Sequence, residues 1–406
     1  MKDLTETIKE LKDNPIFRMS LGSKELFHSN FMEFLWDLNR TAFLAMVNDF
    51  FDNLNKIENL NNDCYYEFGR EVENFDICVF HKEGHKRIYD LIIENKVKSI
   101  PYKEQLDGYW EKVSKSNPNC RFMLLTLSGD FPDKSEIKWK VVTYNDLIKG
   151  INNHYNNYHT CIYDTKISKS PRESLYIKDY CSFIQNLVEF KEFVINESAI
   201  EGQLLFNNED INRLKTIRLH DLYIKMRASW FVMNLKKKLQ TQFNNKSDVK
   251  VVHKYKELDG KGTGVYLNVD MNQGNGQIAA WIKDKYGNTF EVVIQGNQYR
   301  HGIAQSKLTT ERGKYDRLNA LYNRISKSQG PINFLNFYNT QDDIMPNKPG
   351  QFKNTNIDRG GLFRSYGESY IYRYRTIGKN DTVKALMDSM LDDIQKIFPN
   401  TPEFSD

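Results

Sequence analysis

The chain has 406 residues, of which 40% are hydrophobic and 13% aromatic, a composition that excludes a disordered protein and is long enough for two or three domains with real cores. Its 57 Lys+Arg nearly balance 53 Asp+Glu, for a formal net charge of +4. Overall charge therefore does not announce nucleic-acid binding, and any basic surface must come from local distribution.

In chain order, Ser23 is expected to cap a helix reaching about Leu38, with Leu26, Phe31, Phe34, Leu35 and Leu38 on its apolar side. A second apolar helix is expected over residues 42–54. Strand-like runs follow at 64–68, 75–80 and 88–97, with the turn Lys82-Glu83-Gly84-His85 joining the last two as a hairpin. Pro101 ends the third strand, and a helix over 103–115 carries Leu106, Trp110 and Val113 at helical spacing. Strands over 122–127 and 139–144 come next, the latter leading into a helix at Asn145. A hairpin-rich opening followed by a helical crossover predicts an α/β fold: a central mixed sheet with helices on both faces.

Beyond that, residues 168–244 read as helical, chiefly 176–194 and 219–243. Residues 250–303 read as antiparallel strands broken by turns such as Asn275-Gly276 and Tyr286-Gly287-Asn288. Helices are expected again at 311–327 and 381–398, with an alternating strand at 369–375 between them. The expected organisation is one domain over residues 1–165 and an α+β domain over 166–406 that recognises substrate, regulates or mediates assembly. Five scattered cysteines form no disulfide framework. No window approaches the ~18 apolar residues of a membrane span, and the N-terminus has no apolar leader. A cytoplasmic protein without a membrane partner is the expectation.

Chemistry concentrates on Ile92-Ile93-Glu94-Asn95-Lys96. Residues i and i+2 of a strand share a face, so Glu94 and Lys96 emerge together and Asn95 faces away. Charges on a strand flanked by Leu91, Ile92 and Ile93 are costly to bury without partners or a task. Asp76, in the strand across the hairpin, can bring its carboxylate beside that of Glu94. Two hard oxygen ligands completed by water and a phosphate oxygen suit Mg²⁺. A neighbouring lysine can orient or deprotonate an attacking water and stabilise charge on the phosphate. The bland alternative is a structural ion pair, since E-x-K occurs by chance in many strands.

With Phe75-Asp76-Ile77 preceding Ile92-Ile93-Glu94-Asn95-Lys96, the sequence resembles the PD-(D/E)XK nuclease superfamily, whose core is a helix, a three-stranded meander, a helix and a strand. The name-giving proline is absent. The nearer likeness is to a bacterial subgroup with a Glu and a His-Ser pair on the first helix (here Glu25, His28 and Ser29), Glu-Asn-Lys on the third strand, and a Gln-Leu-x-x-Tyr helix (Gln105, Leu106, Tyr109). Val142-Thr143-Tyr144-Asn145-Asp146-Leu147 resembles the ending of the same domain, and the likeness covers about residues 15–150.

The resemblance implies a restriction-endonuclease-like core in which Asp76 and Glu94 bind metal, Glu25 assists and Lys96 is the catalytic lysine. Gln105 and Tyr109, one turn apart, would contact the metal's waters or the nucleic-acid backbone. Polar helix surface is the alternative for these two, and a solvated helix face for Glu25. His28 would bind a substrate phosphate or hold its helix in place; Ser29 reads as structural. Asp90 is left out because it lies about 13 Å down the strand.

Other clusters carry less. Cys64, Cys78, His81 and His85 lack zinc spacing. Gly260-Lys261-Gly262-Thr263-Gly264 lacks a Walker ending and reads as a turn. Lys236-Lys237-Lys238 suits a helix C-terminus on a solvated face, with contact to DNA phosphates as the alternative. The Tyr/Arg alternation over 370–375 fits sheet packing, with a nucleic-acid surface as the alternative. The expected function is a Mg²⁺-dependent endonuclease, with Mn²⁺ able to substitute, acting on DNA in bacterial anti-phage defence or a restriction-like process. It would work alone, as a homo-oligomer or with other subunits of a defence complex. The rival expectations are an RNA-cleaving effector on the same core and a non-catalytic scaffold that uses the fold to bind nucleic acid.

Overall fold

Apolar runs too continuous for a half-solvated sheet, such as Leu91-Ile92-Ile93 and Phe122 to Leu125, demand cover on both faces, and the computed structural model supplies it. It describes residues 3–20, 25–51, 66–97, 103–127, 138–156, 171–196, 198–242, 264–272, 274–283, 289–304, 364–366 and 370–397. The chain divides into two compact units, Met1–Ile195 with Glu209–Met226, and Asn196–Asn208 with Arg227–Asp406.

The first unit opens with helices α1 (Leu4–Asp13), α2 (Pro15–Met19), α3 (Glu25–Leu38) and α4 (Arg40–Asp49). Strands β1 (Glu67–Val72), β2 (Phe75–Glu83) and β3 (Lys86–Lys96) form an antiparallel meander. Helix α5 (Lys103–Ser114) then crosses over to β4 (Arg121–Thr126), which lies parallel to β3, and β5 (Lys140–Thr143) adds in parallel to β4. The sheet order is β1-β2-β3-β4-β5, a mixed sheet as expected. Leu106 and Val113 of α5 pack on Cys78, Ile92, Phe122 and Leu124 on one face. On the other, α3 brings Trp36 against Phe68 of β1, and Phe43 of α4 meets the same ring edge-on.

Asn39, Asn14 and Thr143 cap α4, α2 and α6 (Tyr144–Ile151). Thr143 and Asp146 make a reciprocal capping box that starts α6 directly from β5. Helix α7 (Pro171–Val194) presents Ile177, Tyr180, Phe183, Ile184, Leu187 and Phe190 at helical spacing, all buried. Phe31 of α3 stacks on Tyr180, and Asn14 donates to the Asp179 carbonyl at 3.0 Å, so α7 packs with the first unit. The expected boundary at 165/166 lies outside the described residues. So do Ser23, Leu54, Cys64, Pro101, Gly260 to Thr263, the turn at 286–288 and the helix expected at 311–327.

The meander turns on two residues at each end. Gly84 (φ +61°) and His85 close β2 to β3, as the sequence suggests. Glu73 and Asn74, both with positive φ, close β1 to β2, the backbone handedness that a tight hairpin needs. A β-bulge between the Val79–Leu91 and Phe80–Tyr89 pairs leaves Asp90 unpaired on β3 and turns it to His81, 2.6 Å away.

Helix α8 (Asn208–Lys215) precedes α9 (His220–Gln242). The second unit holds an antiparallel sheet of β6 (Gly264–Asn272), β7 (Asn275–Lys283), β8 (Thr289–Gln295), β9 (Gln298–Ala304), β10 (Arg364–Tyr366) and β11 (Tyr370–Thr376), in the order β10-β11-β9-β8-β7-β6. Phe231 and Leu235 of α9 and Leu386, Met390 and Ile394 of α10 (Val383–Ile397) pack on Val265, Ile278, Val292 and Ile294. The turn expected at Asn275-Gly276 falls two residues earlier, between the paired Asn272 and Asn275. Asn275 and Gly276 are already paired in β7, and Gly274 (φ +78°) takes the left-handed position just before them. Lys238 pairs with Asp388, and Arg375 with Asp381, which gives those basic side chains partners within the unit.

Candidate active site

The meander register decides which charges meet. Ile77 pairs with Ile93, so Asp76 and Glu94 follow on the next rung. Glu94 is 1% exposed, and its Oε1 lies 2.7 Å from Lys96 Nζ, itself 12% exposed. Its Oε2 is buried with no hydrogen-bond partner among the described residues. Asp76 is held from behind, its Oδ2 accepting from the Asn95 backbone N–H at 2.8 Å.

Glu25 stands in the first turn of α3, and two bonds from the end of β3 hold it. Its carbonyl accepts from Asn95 Nδ2 at 3.0 Å, and its Oε1 accepts from the Val97 N–H at 3.2 Å. The charges of Asp76, Glu94 and Lys96 all feel that of Glu25. Asp76, Glu94 and Lys96 lie together, and Glu25 lies within reach of their charges.

Gln105 and Tyr109 lie one turn apart on α5 and bond to each other, Gln105 Nε2 donating to the Tyr109 hydroxyl at 3.0 Å. That hydroxyl donates to the Asn74 carbonyl at 2.8 Å, in the turn that leads into Asp76, and its ring meets Phe75 edge-on. Burial raises the Tyr109 pKa, and the nearby charges of Glu94, Asp76 and Lys96 act on it too, so it lies within their field.

His28 is not brought to this group. It is fully buried in an aromatic cage, stacked on Phe183 and edge-on to Tyr144, with Nδ1 3.1 Å from the Tyr180 hydroxyl. Of its two expected roles, this placement favours the one that holds the helix. Asp90 is also elsewhere, turned away to His81 by the bulge. Cys78 is an inert core thiol, its pKa pushed up to about 12 by burial.

Residues 16–182 match the family model of the PD-(D/E)XK nuclease superfamily. The first unit thus carries a PD-(D/E)XK nuclease-superfamily domain. No curated protein and no solved structure compared with the chain matches it.

The electrostatics of this nuclease-superfamily domain follow from burying three carboxylates beside one ammonium. Burial pushes Glu94 up to about 7; Lys96 pulls it down, while Asp76 and Glu25 push it further up. Asp76 is raised by burial, against the opposing pull of the Asn95 N–H and Lys96. Burial works against the charge on Lys96, but Glu94, Asp76 and Glu25 outweigh it, and its pKa is raised. Burial is thus the largest cause for both carboxylates, whereas the three carboxylate charges together raise Lys96.

Nucleases of this superfamily generally use divalent metals. The donor set fits one: hard oxygens from Asp76 and Glu94, with the Glu94 Oε2 lone pairs unused. Among the described residues no group of three or more His, Cys, Asp or Glu side chains is placed to hold a metal ion, so Glu25 does not complete a three-carboxylate site with Asp76 and Glu94. Two carboxylates would leave the remaining positions to water and phosphate, the open arrangement that Mg²⁺ favours.

Sequence reasoning missed two contributors. Glu71, left-handed at φ +53°, adds its negative charge near Asp76, and nothing in its local sequence marks it. Tyr144 donates to Asn95 Oδ1 at 2.5 Å from the first residue of α6. Its signal was readable, because the T-x-x-D capping box fixes where that helix begins.

Proposed function

We propose that Asp76, Glu94 and Lys96, with Glu25 and Gln105, form the centre of a Mg²⁺-dependent endonuclease that hydrolyses DNA phosphodiester bonds, with Mn²⁺ able to substitute. The observation that carries this reading is the buried Glu94, with one oxygen on Lys96 and the other without a hydrogen-bond partner among the described residues. A structural ion pair would satisfy both oxygens and balance its charge.

In this reading Asp76 and Glu94 hold the metal and Glu25 assists from α3. When bound, the metal supplies a more acidic water and offsets charge on the phosphate. The raised pKa of Lys96 keeps it cationic at neutral pH. Its part is to orient or deprotonate the attacking water and to stabilise charge developing on the phosphate. Gln105 and Tyr109, braced on the Asn74 carbonyl, border the reacting phosphate. The second unit recognises substrate, regulates or mediates assembly, with itself or with other subunits. A role in bacterial defence against phage or foreign DNA follows from the subgroup likeness alone.

Incubating plasmid, single-stranded DNA and RNA with the protein in Mg²⁺, with EDTA controls, tests the proposal. Metal-dependent cleavage of DNA that Lys96→Ala abolishes is expected. Equal cleavage by wild type and Lys96→Ala would sink the assignment of the site. Cleavage confined to RNA would replace the substrate class but keep the chemistry.

A further inference from the structure

The middle residue of Glu94-Asn95-Lys96 points away from the carboxylates, yet it is only 1% exposed and its polar groups are spent on three different elements. Its side-chain N–H groups reach the Glu25 carbonyl at 3.0 Å and Ser29 Oγ at 3.4 Å, both on α3. Its Oδ1 accepts from the Tyr144 hydroxyl at 2.5 Å, on α6. Its backbone N–H donates to Asp76 Oδ2 on β2. A buried amide so saturated has one low-energy orientation, because turning it would set Oδ1 against the Glu25 carbonyl oxygen, acceptor against acceptor.

That orientation has a consequence for Glu25. A glutamate in the first turn of a helix, with three rotatable bonds, has no intrinsic reason to face a strand end. Here its main chain is tied to the Asn95 side chain and its carboxylate to the Val97 N–H, two residues along the same strand. The start of α3 is thereby indexed to the strand that carries Glu94 and Lys96. Ser29 and Tyr144 index Asn95 in turn, and Tyr144 is wedged in place by the buried ring of His28, 5.2 Å away centroid to centroid.

We propose that Asn95 is a positioning residue that fixes Glu25 beside the Asp76–Glu94 pair, with Tyr144 and Ser29 holding Asn95 itself. Its effect on metal affinity rests on the reading of these carboxylates as metal ligands. Its effect on the pose of Glu25 does not.

The test uses the full chain and two readouts. Amide exchange at Val97 reports the Glu25 contact without metal: Asn95→Leu, close in volume, speeds it, and Tyr144→Phe speeds it less. Calorimetric titration with Mn²⁺ alone then gives Kd for wild type, Asn95→Leu, Glu25→Gln and the double variant. Outer residues that orient metal ligands typically change affinity by about 10–100-fold, and a weakening in that range is expected for Asn95→Leu. In the Glu25→Gln background the same change adds little, because the two act in series.

Unchanged exchange at Val97 in a folded Asn95→Leu overturns the proposal. So does an equal loss of affinity in both Glu25 backgrounds, which would mark a purely structural role. Should Asn95→Leu fail to fold, Tyr144→Phe carries both readouts, with the same outcomes deciding. If wild type binds no Mn²⁺ while Val97 exchange responds, the metal reading falls and the positioning of Glu25 stands.

Discussion

Each unit buries a polar cluster, and the two are built on opposite principles. In the second, Asp393 of α10 takes the Tyr299 hydroxyl at 2.7 Å and His301 Nε2 at 2.6 Å on the same oxygen, tying β9 to the helix that covers it. One carboxylate there meets two donors. In the first unit, the charges of Asp76, Glu94 and Glu25 all act on Lys96, and Glu94 Oε2 has no hydrogen-bond partner among the described residues. Charge that is matched locally works for the fold, whereas charge left in excess is a standing cost that only a ligand relieves.

The comparison breaks most sharply on activity. Glu94→Gln should lower cleavage kcat/KM by about 10²–10⁴-fold while the metal-free protein keeps or gains thermal stability. A variant that loses stability in step with activity would put Glu94 in the class of Asp393.

The reverse behaviour is expected of the second cluster. Asp393→Ala strands His301 and Tyr299 in the core and should cost about 3 kcal/mol, read as a lowered denaturation midpoint. The Mn²⁺ affinity of whatever protein remains folded should be unchanged.

A smaller effect is a pH slope. The folded pKa of Glu94, about 7, lies above its ordinary 4.5, so between those values the folded state holds a proton that the unfolded chain has released. This group's contribution therefore falls as pH rises from 4.5 to 7. Denaturant titrations at pH 5 and pH 8 in EDTA should show the fall, Glu94→Gln should flatten it, and Mn²⁺ should reverse it by binding the ionised form. Identical slopes for wild type and variant would show that Glu94 titrates normally.

The smallest effect is at the surface. Lys112 and Glu73 meet at 2.6 Å, but each side chain is about half exposed, and Lys112→Ala should move stability by less than about 1 kcal/mol in thermal melts. A larger loss would mean that the cation over the Phe75 ring, rather than the ion pair, braces the turn.

How much of this was legible in the residues differs by element. The meander, the crossover helix and β4 could be read because apolar periodicity and the Gly84 turn are local signals. The pairing of Asp76 with Glu94 followed from one hairpin. The β1–β2 turn was not readable, because Glu73 and Asn74 adopt positive φ without a glycine to advertise it. Asp90 was set aside for its distance along the strand, and a bulge that no residue pattern announces turned it to His81. The Asn275-Gly276 turn was misplaced by two residues for a similar reason, since the left-handed position could fall on Gly274 or Gly276.

The allegiance of α7 was the largest silence. Its apolar stripe is plain, but a stripe says only that a helix must be covered, not by what, and Phe31 and Asn14 answer that from more than 140 residues away.

What the chain determined by itself is the chemical inventory: two carboxylates and a lysine on adjacent strands, and the order of elements that a PD-(D/E)XK domain requires. Only tertiary structure decided that Glu25 joins them, that His28 does not, and that Asn95 is the joint between helix and strands. Spacing along a strand or helix fixes which residues share a face. Which faces then meet depends on contacts between residues distant in sequence, and on the buried hydrogen bonds that leave each side chain one place to be.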